Sequence, residues 1–193
     1  MAVGKTQAQP GIFSRIIQMA SPAFVLIAVF VPIGALVYAA NFGPLVSLNY
    51  VHILTGAMWT GIDLFMGFVL GPSLGKMEPR DRVPVFMRLM PKMAFLMPVL
   101  AGVTVTAGLQ LVSRMGYSLS SPKIIISLVI TGILTIQGLG FLLPNEIQIY
   151  RELLSGRPNI EKVSRLGMRN ARLGGLQGIF QLALIFVMAT IRL

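Results

Sequence analysis

The sequence predicts an all-α, polytopic membrane bundle of five transmembrane helices in a single domain, residues 1–193, with a cytoplasmic N-terminus. Three observations lead there. Hydrophobic residues make up 55% of the chain and charged residues only 11%, at a mean hydropathy of +0.80, whereas a soluble domain carries about 25% charged residues. Five apolar stretches, at 22–40, 46–70, 93–112, 123–143 and 173–191, match the roughly 20 helical residues that cross a hydrocarbon core of about 30 Å. The connections alternate in charge: Lys5 and Arg15, then Lys76 to Lys92, then Arg151 to Arg172 place 13 basic residues on one side, against Arg114, Lys123 and Arg192 on the other. Basic residues favour the cytoplasm, which fixes the expected orientation and places the chain in the plasma membrane as a multi-pass protein.

The first span, 22–40, follows a polar lead containing Lys5 and Arg15. "VYA" before Ala40 resembles a signal cleavage site, but Pro32 and Gly34 interrupt the apolar run, so the segment reads as an uncleaved span. An uncharged loop, "NFGPLVSLN", leads to the second span.

That span carries His52, the only histidine in the chain, and Asp63. At about 100° per residue, His52, Trp59 and Asp63 fall on one narrow stripe, with Thr55 and Met66 close to it. The rise from His52 to Asp63 is about 16 Å, so they mark two sites at different depths. An ionisable group inside a membrane turns to the bundle interior and finds a partner there. Depth counting points to Gln137 and Gln181 as intramembrane polar residues near Asp63, and to Thr104 and Thr106 near His52. Gly67, Gly71 and Gly75, and likewise Gly174 and Gly178, have the four-residue spacing of close helix packing.

Before the third span, "SLGKMEPRDRVPVFMRLMPKM" reads as a separate interfacial helix, its charges flanking Val85, Phe86, Leu89 and Met90. Met87, Met90, Met93 and Met97 recur at helical spacing through Pro91. Thioethers are soft ligands for Cu(I), which makes these four the candidate metal ligands; they are equally good fillers of apolar interfaces. Pro144 stands where the fourth span leaves the membrane, and Glu146, Arg151 and Glu152 continue it as a solvated helix. The segment from Arg151 to Gly175 has room for one more short helix before the fifth span.

The chain has no cysteine, which excludes disulfides and thiolate metal sites, and one histidine, which excludes a His-rich metal site within one chain. The net charge of +10 sits in loops between apolar runs, so it belongs to membrane orientation and not to nucleic-acid binding. No phosphate-binding loop, nucleophile elbow or zinc-protease motif occurs.

The pattern His52-x6-Trp59-x-Gly61, followed by an apolar run ending "VLGPSL", resembles a half-motif of a broad family of small bundle proteins. It includes the copper-resistance D membrane domain, the membrane domain of bacterial urate oxidases and the HemJ-type protoporphyrinogen oxidases. The segment "KMEPRDRVPVFMRLMPKMAFLMPVLAGVTVTAGLQL" looks most like the urate-oxidase membrane domain, where a short charged loop also leads into a span rich in Gly and Thr. The resemblance covers about 51–111 and implies a helical bundle with His52 as haem ligand. The further histidines and the cytochrome c domain of the urate oxidases do not occur in residues 1–193, nor does a Lys within a span to match the HemJ type.

Three functions are therefore expected in competition. One is a redox protein of a respiratory or oxidase-type system, holding haem b on His52. One is an accessory subunit without chemistry of its own, surrounded by lipid and by other membrane subunits or further copies of itself. One is a copper permease.

Overall fold

The structure is a computed structural model that describes residues 11–191, so Lys5 and Arg192, both used for the charge alternation, lie outside the described residues. Every regular element among those residues is helical. A short helix α1 (Ile12–Ala20) precedes five helices long and apolar enough to cross a membrane: α2 (Pro22–Asn41), α3 (Leu45–Gly75), α4 (Pro79–Arg114), α5 (Pro122–Leu154) and α6 (Ile160–Ala189). The chain is thus an all-helical, multi-pass membrane protein in form.

Proline opens α2, α4 and α5, where its missing N–H is one of the donors a helix leaves unpaired anyway. Ser21 joins α1 to α2 at φ +73, a conformation that costs a residue with a Cβ about 1–2 kcal/mol. Gly116 and Gly156, both at positive φ, turn the chain between α4 and α5 and between α5 and α6. Asn159 caps α6, its side chain accepting the Lys162 N–H at 2.9 Å.

Three helices run further than the hydropathy pattern predicts. The expected interfacial helix is instead the first turns of α4, which continues unbroken through Pro84, Pro91 and Pro98. Packing overrides the prolines: Val83, Phe86, Met90 and Pro91 are all buried, and Phe86 lies face-on against Gly167 of α6, where a Cβ would meet its ring at 2.6 Å. The fourth span continues past Pro144 to Leu154, and α6 begins at Ile160, leaving no separate helix between them. The extra turns of α4, α5 and α6 form a helical stub at the end of the bundle that carries most of the basic residues, here called the basic end.

Helix α6 is central. In its most apolar window 39% of residues are buried, against 11% in α2, whose Leu26, Ile27, Phe30 and Val31 are exposed where lipid would lie. Helices α3 and α6 meet at glycine: a Cβ on Gly67 would come within 2.1 Å of Gly175 Cα. Gly71 faces Ala171 and Gly75 faces Met168, so the spacing expected for close packing is used along the whole crossing. Two stretches are π-helical, Phe65–Leu70 in α3 and Gly138–Leu142 in α5. Basic side chains close helix ends: Arg82 donates to Gly75 O at 3.1 Å and Met77 O at 2.5 Å, Arg114 to Ala40 O, and Lys123 to Thr190 O.

Helix α4 packs on α2 and α3, and α5 packs on α6. At the basic end α4 and α5 approach closely, where Val83 meets Ile149 and Tyr150 donates to Met90 O at 2.7 Å. Above that point a cavity lies between them, and Leu100 of α4 and Leu134 of α5 join one buried cluster with Trp59 of α3.

Candidate functional site

The space between α4 and α5 is a cavity of about 440 Å³, a size typical of small-molecule sites. Its wall on α4 runs from Met90 to Thr106, about 24 Å of helix at 1.5 Å per residue. Helix α3 contributes Trp59, Ile62, Asp63 and Met66, and α6 contributes Asn170, Gly174 and Gln177. Both π-helical stretches border it, through Met66 on one side and Gly138, Leu139 and Leu142 on the other. Such turns recur at functional sites because they break the helical phase locally.

Asp63 is 3% exposed. Gln177 and Gln181, one turn apart on α6, each donate a side-chain N–H to Asp63 Oδ2 at 3.0 Å. Both amides turn nitrogen towards the carboxyl oxygen, and both amide oxygens are left buried without a hydrogen-bond partner. Asp63 Oδ1 lies beside Gly174, where a Cβ would stand 3.3 Å from it. No basic side chain lines the cavity among the described residues. Its second ionisable group, Glu146, is another carboxyl group, and among the described residues no side-chain hydrogen bond or ion pair engages it.

Around this centre the polar groups are paired. Gln137 donates to Leu173 O at 2.7 Å, holding α5 to α6. Asn145 donates to Asn170 Oδ1 at 2.7 Å, and Asn170 donates to Leu142 O at 3.2 Å. Along α6, seven residues separate Asn170 from Gln177, which sets the level of Glu146 about 10 Å nearer the basic end than Asp63.

His52 stands apart from this cavity. Its Nδ1 is 2.9 Å from Thr104 O. A carbonyl only accepts, so Nδ1 carries the proton, and Nε2 of the neutral ring keeps its lone pair. The ring rests on Gly108, where a Cβ would meet Cε1 at 2.9 Å. Thr104 donates to Thr55 Oγ1 at 2.8 Å, and Thr55 to Val51 O at 2.8 Å, so His52, Thr55 and Thr104 join α3 to α4 as one polar seam.

The structure therefore divides the residues singled out from sequence. Asp63 and Gln181 come together, as depth counting indicated, while Gln137 bonds a backbone carbonyl instead. Thr104 meets His52; Thr106 lines the cavity. Met90, Met93 and Met97 line the cavity with Met66 opposite, while Met87 is 41% exposed and does not. Glu146, expected on a solvated helix, is partly buried in the cavity wall instead, while Gln177 and the Asn145–Asn170 pair were not singled out. A signal for part of this set was present: Asn170, Gly174, Gln177 and Gln181 follow one another at steps of four, three and four, a single polar stripe on α6. No family model, curated protein or solved structure matches the chain.

Proposed function

We propose that the protein is a membrane-embedded binding protein that admits a lipophilic molecule from the bilayer through the cleft between α4 and α5, with Asp63 recognising the molecule's polar end. The observation that carries this reading is a buried carboxyl group with no basic partner among the described residues, beside a mostly apolar cavity whose wall residues Pro98 and Gly102 on α4 and Thr135 and Leu139 on α5 are exposed at the outer surface. A carboxylate at the centre of a membrane helix costs about 2.5–3.5 kcal/mol on insertion scales. The two glutamine N–H groups offset that cost, yet they leave Oδ1 and their own oxygens unused. The orientation that goes with this reading puts the basic end, and Glu146 with it, on the cytoplasmic side of the plasma membrane.

Trp59, the only tryptophan, lines the cleft and reports on it directly. In nanodiscs, lipids with brominated acyl chains should quench Trp59 emission strongly. A Cβ on Gly102 meets nothing within 4 Å, so Gly102→Phe fills the cleft without a backbone clash and should shield Trp59. Quenching that is absent in the wild type, or unaffected by Gly102→Phe, would refute lateral access.

A second reading has its own observation. His52 presents Nε2 with a free lone pair while Nδ1 is fixed by Thr104 O, the arrangement of a metal-bound imidazole. That favours His52 as a haem ligand, as the family resemblance implies. Haem there would supply one-electron chemistry, with Thr104 orienting the ring. The cleft lies about 10 Å deeper, at Trp59, so the two readings invoke different sites. Protein expressed with ample haem should then show a Soret band that His52→Ala removes or shifts; colourless protein, alone or with its native partners, would leave His52 as a packing group and favour an accessory subunit.

A further inference from the structure

We infer that the ligand of the α4–α5 cleft is a lipophilic ammonium ion, an apolar chain ending in a protonated amine. The inference rests on the cleft being a binding site and names what it binds.

The charge in the cleft has one sign. Asp63 and Glu146 line it, and no Lys, Arg or His does among the described residues. A ligand with an anionic head finds no cationic group there, whereas an amine can pair with either carboxyl group.

Around Asp63 the open hydrogen-bonding positions are acceptors. Gln177 is 4% exposed, lines the cleft and gives one N–H to Asp63, leaving its oxygen unpartnered. Among the described residues, none donates to Asp63 Oδ1 or to the Glu146 side chain. The open positions of Asp63, Glu146 and the Gln177 oxygen are acceptors that a donating head group would fill, while the Trp59 indole N–H and the Thr106 hydroxyl lining the same cleft are donors. An ammonium head has three N–H donors and no acceptor. Gly174 leaves open the space beside Oδ1.

The walls suit the rest of such a molecule. They are mostly apolar, with Met66, Met90, Met93 and Met97 as polarisable, adaptable surface around a cation. The gap between α4 and α5 lets a chain longer than the cleft remain in lipid. A lone metal ion would fill little of about 440 Å³.

The test compares dodecylamine with dodecanol, which has the same chain and a neutral head. Each is titrated into the full chain in zwitterionic nanodiscs, with Trp59 emission as readout and empty nanodiscs as control. Dodecylamine should bind saturably and at least tenfold more tightly than dodecanol. Asp63→Asn should lose most of that preference while dodecanol affinity stays put. Glu146→Gln removes a carboxylate with no hydrogen-bonding role in the fold; it should weaken the amine several-fold at unchanged melting temperature. Equal affinity for amine and alcohol would overturn the inference, and so would amine binding that both variants leave intact. Stoichiometric binding of Cu(I) that dodecylamine fails to displace would also overturn it, in favour of metal handling. If brominated lipids still quench Trp59 while the amine shows no preference, the ligand class is wrong and the cleft stands; if neither signal appears, the cleft reading itself fails.

Discussion

Replacing Gly67 by alanine adds one methyl group where α3 crosses α6, and the structure leaves no room for it. The new Cβ would sit 2.1 Å from Gly175 Cα and 2.7 Å from Gly175 N, both backbone atoms that no rotamer change can move. Carbon atoms rest at about 3.5–4.0 Å, so the helices must part by about 1.5 Å. Overpacking of this kind costs about 1–3 kcal/mol before other contacts are counted. Asp63 stands one turn away, bonded to Gln177 and Gln181 at 3.0 Å. Parting the helices stretches both bonds past the useful limit, and a hydrogen bond to a charged group is worth about 1.5–3 kcal/mol. A loss of at least about 3 kcal/mol is expected, or a fall of about 6–12 °C in melting temperature for a chain of this length. Gly61→Ala is the control: its Cβ meets nothing within 4 Å, and removing a mid-helix glycine should be neutral or slightly stabilising. Thermal unfolding in detergent, followed by Trp59 emission, compares the two. Equal melting temperatures for Gly67→Ala and Gly61→Ala would show that the helices do not cross at this pair.

Three further outcomes follow from the same geometry. Asp63→Leu strands the N–H groups of Gln177 and Gln181 in the core and should cost about 2–4 kcal/mol, while Asp63→Asn keeps an acceptor oxygen and should fold; circular dichroism melts of the two variants separate these cases. Ser21→Gly relieves the positive φ between α1 and α2 and should raise stability by about 1 kcal/mol, detectable as a small upward shift in melting temperature. Cysteine labelling in intact cells should find residues 76–92 and 151–172 protected from membrane-impermeant reagents; labelling from outside would reverse the orientation.

What the sequence could reveal tracks which forces act within one helix. The His52–Trp59–Asp63 stripe is a matter of helical phase, and counting depth led from Asp63 to Gln181 and from His52 to Thr104 because antiparallel helices share a ruler. Gln177 was equally within reach, one turn before Gln181 on the same stripe. The length of α4 was hidden, because three prolines and a cluster of charges in 79–92 imitate a loop with a surface helix; only the burial of Val83, Phe86 and Met90 against neighbouring helices makes one rod of it. The cleft was out of reach for a different reason. It is lined by four helices at once, and the pattern of any one helix does not encode the space left between all of them.

The π-helical stretch after Asp63 has a geometric consequence for α3 as a whole. Asp63, Gly67, Gly71 and Gly75 stand four residues apart, and on a uniform α-helix each step drifts by about 40°, so Gly75 would point about 120° away from Asp63. A helix that drifts this far loses its neighbour. Yet Asp63 reaches Gln177, Gly67 touches Gly175, Gly71 faces Ala171 and Gly75 faces Met168, all on α6. The wider turn at Phe65–Leu70 takes up about one residue more than an α turn and winds the lower half back by about 100°, which returns Gly71 and Gly75 to within about 20° of the Asp63 direction. One surplus residue thus acts as a vernier between two patterns, a polar one above and a glycine one below, and lets a single straight partner read both.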